Sequence, residues 1–338
     1  MSPMARVHRR AAWLALALLG ASLVLLGLGA AVGSTGLSDL RALGQDATAW
    51  PIVRDIRVPR SLGAWLAGAL LGLAGAVAQG LFRNPLADPF LLGSASGASL
   101  GVALALALFG INPVAASWLA ALGLTGAAFI GAMAAVLLTL ALARGVQHTL
   151  RLLLAGVIVG VVLGALGSLI TLLVPETLPA MQAFLLGSTG FIGWTACAPM
   201  AGAFVLCLVA AWIVSPVLDG LTLGEATARS LGLPLGPLRL ALVAVMALAT
   251  GAAVAQAGLI AFVGLAAPHL VRSVVRTTHA RLVGLSALAG GVLLLGADLL
   301  ARALIAPQEL PVGVLTAVLG GGYLLWLMQR GRGAKGAV

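Results

Sequence analysis

The sequence predicts an all-α, polytopic membrane protein of about ten transmembrane helices, and three observations carry that reading. Of the 338 residues, 61% are hydrophobic and only 8% charged, against roughly a quarter charged in soluble domains, and the mean hydropathy is +1.14. The apolar residues fall into runs of about 20, the length a helix needs to cross ~30 Å of hydrocarbon. The basic residues gather between those runs, mostly on one side. No sizeable soluble domain fits in what is left, so residues 1–338 read as a single transmembrane domain. A net charge of +10 could suggest nucleic acid, but its placement between apolar runs points to a lipid bilayer and to no nucleic acid.

Taken in order, spans are expected at about 11–33, 60–82, 91–109, 114–142, 150–174, 193–214, 238–257, 258–275, 281–301 and 311–329. The first run follows Arg9 and Arg10 and exceeds the ~7–15-residue core of a signal peptide, so it reads as a retained helix. Residues 57–101 organise the rest. Ser61 to Phe82 forms one span, and the turn Arg83-Asn84-Pro85-Leu86-Ala87-Asp88-Pro89 ends it, because its prolines cannot continue a helix. With the N-terminus inside, the outer segments hold only Arg41, Arg54, Arg57, Arg60 and Arg302. The other basic residues then lie inside, as the positive-inside rule requires of an even number of spans with both termini cytoplasmic.

The polar residues inside or beside the spans divide into structural and functional candidates. Cys197 and Cys207 lie in one span, ten residues and so ~15 Å apart, too far for a disulfide, and read as core. His8, His148, His269 and His279 match no metal-ligand spacing, so no metal site is expected. Gln79 and Gln256 should hydrogen-bond between helices. Asp298 and Arg302 stand four apart and can pair along one helix face. Away from span ends no carboxylate lies in the membrane, which counts against proton- or sodium-coupled carriage. Gly75-Ala76-Val77-Ala78-Gln79 echoes Ala252-Ala253-Val254-Ala255-Gln256 in helices of opposite direction. Such an echo is either the trace of an inverted repeat or chance in an Ala-rich chain.

Arg57 and Arg60, three apart, should point the same way at the outer mouth of the second span, where Arg302 could complete a basic cluster. The alternative is arginines snorkelling at the interface. On the inner side, residues 215–236 form the longest polar interruption. Thr222 and Glu225 have capping-box spacing, Gly232 suits a left-handed C-cap and Pro234 blocks continuation. A helix of about two turns follows, either a docking surface for a cytoplasmic partner or a connecting loop. The only lysine is Lys335, followed by glycine, so this chain cannot carry a Walker-type ATPase site.

Several motifs resemble the FecCD-type permeases, membrane subunits of type II ABC importers for haem, ferric siderophores and vitamin B12. They are Arg57-Val58-Pro59-Arg60, Arg83 to Pro89 running into Leu91-Leu92-Gly93, Leu152 to Gly156, Gly224-Glu225 to Pro234, Phe262 to His269 and Glu309 to Gly313. The resemblance covers nearly the whole chain. It implies a homodimer in the bacterial inner membrane, two cytoplasmic ATPase subunits that bind ATP and Mg, and a periplasmic substrate-binding protein. This chain itself would then be no enzyme and would hold no cofactor. The resemblance assigns Arg57, Arg60 and Arg302 to docking glutamates of the binding protein. It assigns Leu221, Thr222, Gly224, Glu225, Arg229, Gly232 and Pro234 to ATPase coupling. Gln147, His148, Thr149, Gly156, Val157, Gly160, Val161, Gly164 and Ser168 would line the pathway and inner gate. The mostly apolar wall at Val157 and Val161 favours haem over a charged siderophore, with cobalamin as the alternative. A carrier or channel working without ATP, or a membrane enzyme, is the rival from another class.

Overall fold

The computed structural model describes residues 3–31, 49–110, 118–143 and 149–333, which form helices and turns. Helix α1 spans Pro3–Ala31. A single turn at Ala49–Ile52 and a π-helical segment at Val53–Arg57 run directly into α2 (Val58–Leu81). A 3-10 turn at Pro89–Leu92 leads to α3 (Ser94–Phe109), followed by α4 (Trp118–Leu142) and α5 (Thr149–Leu173). Then come α6 (Leu178–Leu186), α7 (Trp194–Thr222), α8 (Glu225–Ser230), α9 (Leu235–Ala257), α10 (Val263–Val274), α11 (His279–Ala303) and α12 (Val312–Gly333). Ten of these, all but α6 and α8, stand where spans are expected. Among the described residues seven helices are long and apolar enough to cross a bilayer alone, and the chain is a multi-pass membrane protein.

The boundaries differ from expectation at three places. A full span was expected at 258–275, but the chain leaves α9 through Gly258 (φ +70°) and Phe262 (φ +67°), and α10 covers only 12 residues. At 1.5 Å per residue that is ~18 Å, short of the hydrocarbon thickness. Helix α7 runs on through Pro216 to Thr222, beyond the expected end at 214. Helix α6 was not foreseen; its nine residues are too few for a span and read as loop in a search for runs of 20.

Helix α2 is the axis of the packing and is buried along nearly its whole length. In lipid no hydrophobic force presses helices together, so close approach depends on small residues. A Cβ on Gly68 would come within 2.3 Å of the Gly290 carbonyl oxygen on α11, and one on Gly75 within 1.7 Å of the Gly264 carbonyl oxygen on α10. These helices therefore meet backbone to backbone. Gln79 donates to the Leu265 carbonyl (3.1 Å) and accepts from Arg272, the interhelical role expected of it. Cys197 and Cys207 are buried free thiols on α7, each donating to a carbonyl of a neighbouring helix.

Helix lengths repeat in order. The series α2 to α5 has 24, 16, 25 and 25 residues, and α9 to α12 has 23, 12, 25 and 22. Each short helix is entered through a left-handed residue, Gly93 or Phe262. Helix α2 packs on α11 while α9 packs on α4, the same pairing with the halves exchanged. These correspondences extend the five-residue echo to four helices and agree with an inverted repeat.

Candidate functional site

Four charged side chains meet at the end of α2 expected to face outward. The Arg60 guanidinium forks onto Glu309, with Nη1 to Oε1 at 3.0 Å and Nη2 to Oε2 at 2.8 Å, and Nη2 also donates to Asp298 at 3.1 Å. Asp298 is fully buried on α11 and accepts as well from Thr189 Oγ1 (2.5 Å) and from Arg302 one turn along. The expected Asp298–Arg302 pair is therefore present. A buried carboxylate costs several kcal/mol unless paired, and here two guanidiniums and a hydroxyl share one acid.

That arrangement corrects the expected cluster of three outward arginines. Arg302 is 2% exposed and donates further to Ser61 Oγ (3.3 Å) and the Gly29 carbonyl (3.4 Å), so Asp298 neutralises it below the surface. Arg57 is half-buried, with Nη1 near the Ala31 carbonyl at 3.3 Å. Arg60 keeps 13% of its side chain exposed and its accessible partner is Glu309, itself 31% exposed. Sequence reasoning missed Glu309 as a partner, although it opens one of the motifs quoted above.

The opposite end is organised by Glu225, the first residue of α8. Its Oε1 accepts from Arg239 Nη2 of α9 at 2.6 Å, and Arg83 and Arg229 stand 3.9 Å from the same carboxylate. The hydrogen bond from Arg239 holds the Glu225 carboxyl below the usual carboxylate range. The capping box expected from Thr222 and Glu225 does not form. Thr222 is the last residue of α7 and its hydroxyl donates back to the Asp219 carbonyl at 2.6 Å, while Gly224 (φ +99°) makes the corner. The C-terminal expectation holds. Gly232 N–H reaches the Arg229 carbonyl (2.9 Å) and Leu233 N–H the Ala228 carbonyl (3.3 Å), with Gly232 at φ +78°, a Schellman ending.

The surface that α8 presents is formed by Leu223, Arg229 and Leu231, each over 60% exposed. Leu221, expected in the coupling segment, is fully buried in α7 and is not part of that surface. Asp219, near the end of α7, accepts from the His279 backbone N–H (3.0 Å) and lies 2.6 Å from His279 Nδ1, tying α7 to the start of α11.

The third region joins the 83–89 turn to α5. Asp88 Oδ1 accepts the Phe90 N–H at 2.8 Å and so starts the 3-10 turn; burial raises its carboxyl pKa, partly opposed by that bond. Asp88, Phe90, Ser96, Gly156, Val157 and Val161 line an open cleft of about 380 Å³. Gly156 rests on the turn so closely that a Cβ would lie 2.1 Å from the Leu91 carbonyl oxygen. The described residues expected to line the pathway lie close together on α5, Gly160 lining the cleft beside Val157 and Val161. Gly160 and Gly164 look toward Ser96 of α3. Val157, Val161 and Ser168 beside them are exposed, where a partner or a passage can meet them. Gln147 and His148 lie outside the described residues, and α5 begins at Thr149.

The sequence signature of the FecCD transport family matches residues 14–330. The chain belongs to the FecCD transport family. Within the family, it is 39% identical over 317 residues to the hemin transport system permease protein HmuU of Yersinia pestis, covering 92% of this chain and 93% of that one. It is 41% identical over 282 residues to the vitamin B12 import system permease protein BtuC of Klebsiella pneumoniae, 82% of each. A solved metal-chelate type ABC transporter in an inward-facing conformation superposes with TM-score 0.83 at 29% identity, over 93% of this chain and 98% of that one. The FecCD chain described here is thus an ABC permease of type II fold, a transport subunit and not itself an enzyme. The signature spans the charged cluster at Arg60, α8 and the α5 cleft alike.

Proposed function

We propose that this chain is the permease of an ATP-driven importer that carries an iron complex, with haem favoured, from periplasm to cytoplasm across the bacterial inner membrane. Two copies surround the pathway on a two-fold axis, with both termini of each in the cytoplasm. Two ATPase subunits, which hold ATP and Mg, seat the exposed face of α8 on the cytoplasmic side. A periplasmic binding protein delivers the cargo to the Arg57 and Arg60 end. ATP binding closes the ATPase pair, α8 transmits that motion, and α5 and α12 rearrange to admit one substrate at a time.

The observation that carries this reading is the match to a hemin permease over 93% of that protein's length, with the charged ends and the α5 cleft all inside the aligned region. The exposed, uncharged α5 face at Val157 and Val161 suits a large flat apolar cargo held weakly. Cobalamin is the second reading, supported by the 41% identity to a vitamin B12 permease. At the outer end, a carboxylate on the binding protein would replace Glu309 on the Arg60 fork. Arg57→Glu with Arg60→Glu is then expected to abolish stimulation of ATP hydrolysis by the binding protein, and unchanged stimulation would exclude that contact. The deciding experiment reconstitutes the permease in proteoliposomes with the ATPase and binding protein encoded beside it. Haem uptake should require both partners and ATP, whereas uptake by the permease alone would sink the importer reading.

A further inference from the structure

Between the start of α1 and the α10–α11 connection lies a basic cleft that the transport reading does not use. Two adjoining hollows form it, of about 600 and 390 Å³, and Val7 and Arg276 line both. His8 and Arg281 line the larger hollow, Arg10 and Arg272 the smaller. Arg10, Arg276 and Arg281 are exposed, and no carboxylate among the described residues pairs with them. Arg272 donates to Gln79. The one acid in the lining, Asp219, is taken up by the His279 ring and backbone N–H. The Thr277 hydroxyl is buried in this wall without a hydrogen-bond partner. Beside it α11 begins at His279, whose backbone N–H is already satisfied by Asp219, so the arginines supply the free positive charge of the hollow. Guanidinium groups, with an orphaned hydroxyl in the wall behind them, together form a receptor for phosphate.

We propose that this cleft holds the phosphate headgroup of an anionic phospholipid from the cytoplasmic leaflet. A lipid fits better than a soluble phosphate because the cleft opens onto an apolar wall. One turn on from Arg10, Trp13 begins an apolar face of α1 that Leu16, Leu19 and Leu23 continue, and these four are 45–71% exposed. Val274, 57% exposed, stands beside the smaller hollow. An acyl chain leaving the cleft has that stripe to lie on, with the Trp13 ring at headgroup depth. The proposal rests on the orientation given above only for the leaflet that supplies the lipid.

Native mass spectrometry of the detergent-purified permease tests it without reference to sidedness. Phosphatidylglycerol should be retained in preference to phosphatidylcholine. Each arginine beside an anionic headgroup is worth about fivefold in affinity, so Arg276→Ala with Arg281→Ala should lower phosphatidylglycerol retention about 30-fold. Phosphatidylcholine retention should stay the same, as should phosphatidylglycerol retention on Arg54→Ala at the other end of the bundle. Thr277→Val, which keeps every charge, should weaken retention several-fold and serves where the double variant folds poorly. Equal retention of the two lipids, equal loss on Arg54→Ala, or displacement by millimolar inorganic phosphate would each overturn the proposal. So would loss of the lipid on assembly with the ATPase, which would make the cleft part of that interface. A permease that binds the lipid but shows reversed sidedness in vesicles would refute the orientation and leave the site standing.

Discussion

Replacing Asp298 by asparagine tests whether Arg302 is a structural charge or a docking charge. The substitution keeps shape and the Thr189 contact but removes the one acid that faces the Arg302 guanidinium, a side chain 2% exposed. Arg60 is buffered against the loss because its fork onto Glu309 remains. Removing one partner of a buried ion pair costs about 3–5 kcal/mol because the other charge stays buried. With one of the two guanidiniums still paired, the lower figure applies, about 3 kcal/mol. At roughly 2 °C per kcal/mol for a chain of this size, the melting temperature in detergent should fall about 6 °C. The combination Asp298→Asn with Arg302→Met removes both charges and should recover most of that loss, since a buried pair and an apolar replacement are often near equal. Thermal unfolding of the single and double variants therefore forms a cycle with a coupling of about 2–3 kcal/mol. Strictly additive melting shifts would refute the structural assignment. So would an Arg302→Met protein that melts normally but no longer responds to the binding protein.

Three further outcomes follow from the α8 end. Glu225→Gln leaves Arg239 and Arg83 with a neutral partner and loosens α8 by about 1.5–3 kcal/mol, the worth of a hydrogen bond to a charged group. Substrate moved per ATP should drop at least fivefold in proteoliposomes while the ATPase stays bound, and an unchanged ratio would remove Glu225 from the coupling path. Gly156→Ala places a methyl 2.1 Å from the Leu91 carbonyl oxygen, an overpacking of about 1–3 kcal/mol; uptake should fall with assembly intact, and normal uptake would show that α5 need not rest there. The pH dependences of the two carboxyls have opposite signs. The raised pKa of Asp88 gives stability that is complete below the usual carboxylate range and lost as pH rises through the raised value. Asp88→Asn should thus melt higher than the parent at pH 8 and lose that advantage in acid. The lowered pKa of Glu225 gives stability present above the usual range and lost only as pH falls through the lowered value. An Asp88→Asn advantage that grew in acid would reverse the assignment.

What the sequence made legible was what lipid alone dictates. A helix needs about 20 apolar residues to cross, and basic residues mark its ends, so the order and approximate place of the ten helices could be read, with the bounds of α1, α7 and α10 furthest off. The short α10 could not be foreseen, because its entry depends on Phe262 holding a left-handed conformation that a hydropathy run does not register. Spacing predicted the Asp298–Arg302 pair and the Schellman ending at Gly232, both local in the chain. It misread Thr222, because the extension of α7 through Pro216 made that residue a helix end instead of a cap. The partners that give each site its chemistry are far apart in sequence. Arg60 with Asp298 and Glu309, Arg83 with Glu225, and Asp219 with His279 are each brought together by packing across helices. Lone polar residues such as Arg239, embedded near the start of an apolar helix, carried the available signal, since a charge there must find an acid.

The packing also bears on which helix can move. Helix α2 meets α10 and α11 through glycine backbones and is tied to them at both ends, by Arg60 to Asp298 and by Gln79 to Leu265 and Arg272. Sliding one of these past another would break close contacts and buried polar bonds together, so they behave as one body. Helices α3 and α4 interlock separately through Gly97, Gly101 and Gly131, and share a small core with Met181 and Val254. Helix α5 is different. It leans on the Leu91 backbone at Gly156, touches Ser96 only loosely at Gly160 and Gly164, and leaves Val157, Val161 and Leu172 exposed. A displacement of α8 reaches the 83–89 turn through Glu225 and Arg83, and that turn carries Leu91. The tilt of α5 can therefore change without unpacking either glycine-bonded body, so in the importer proposed above α5 is the element expected to open or close the cleft at Asp88 when α8 moves.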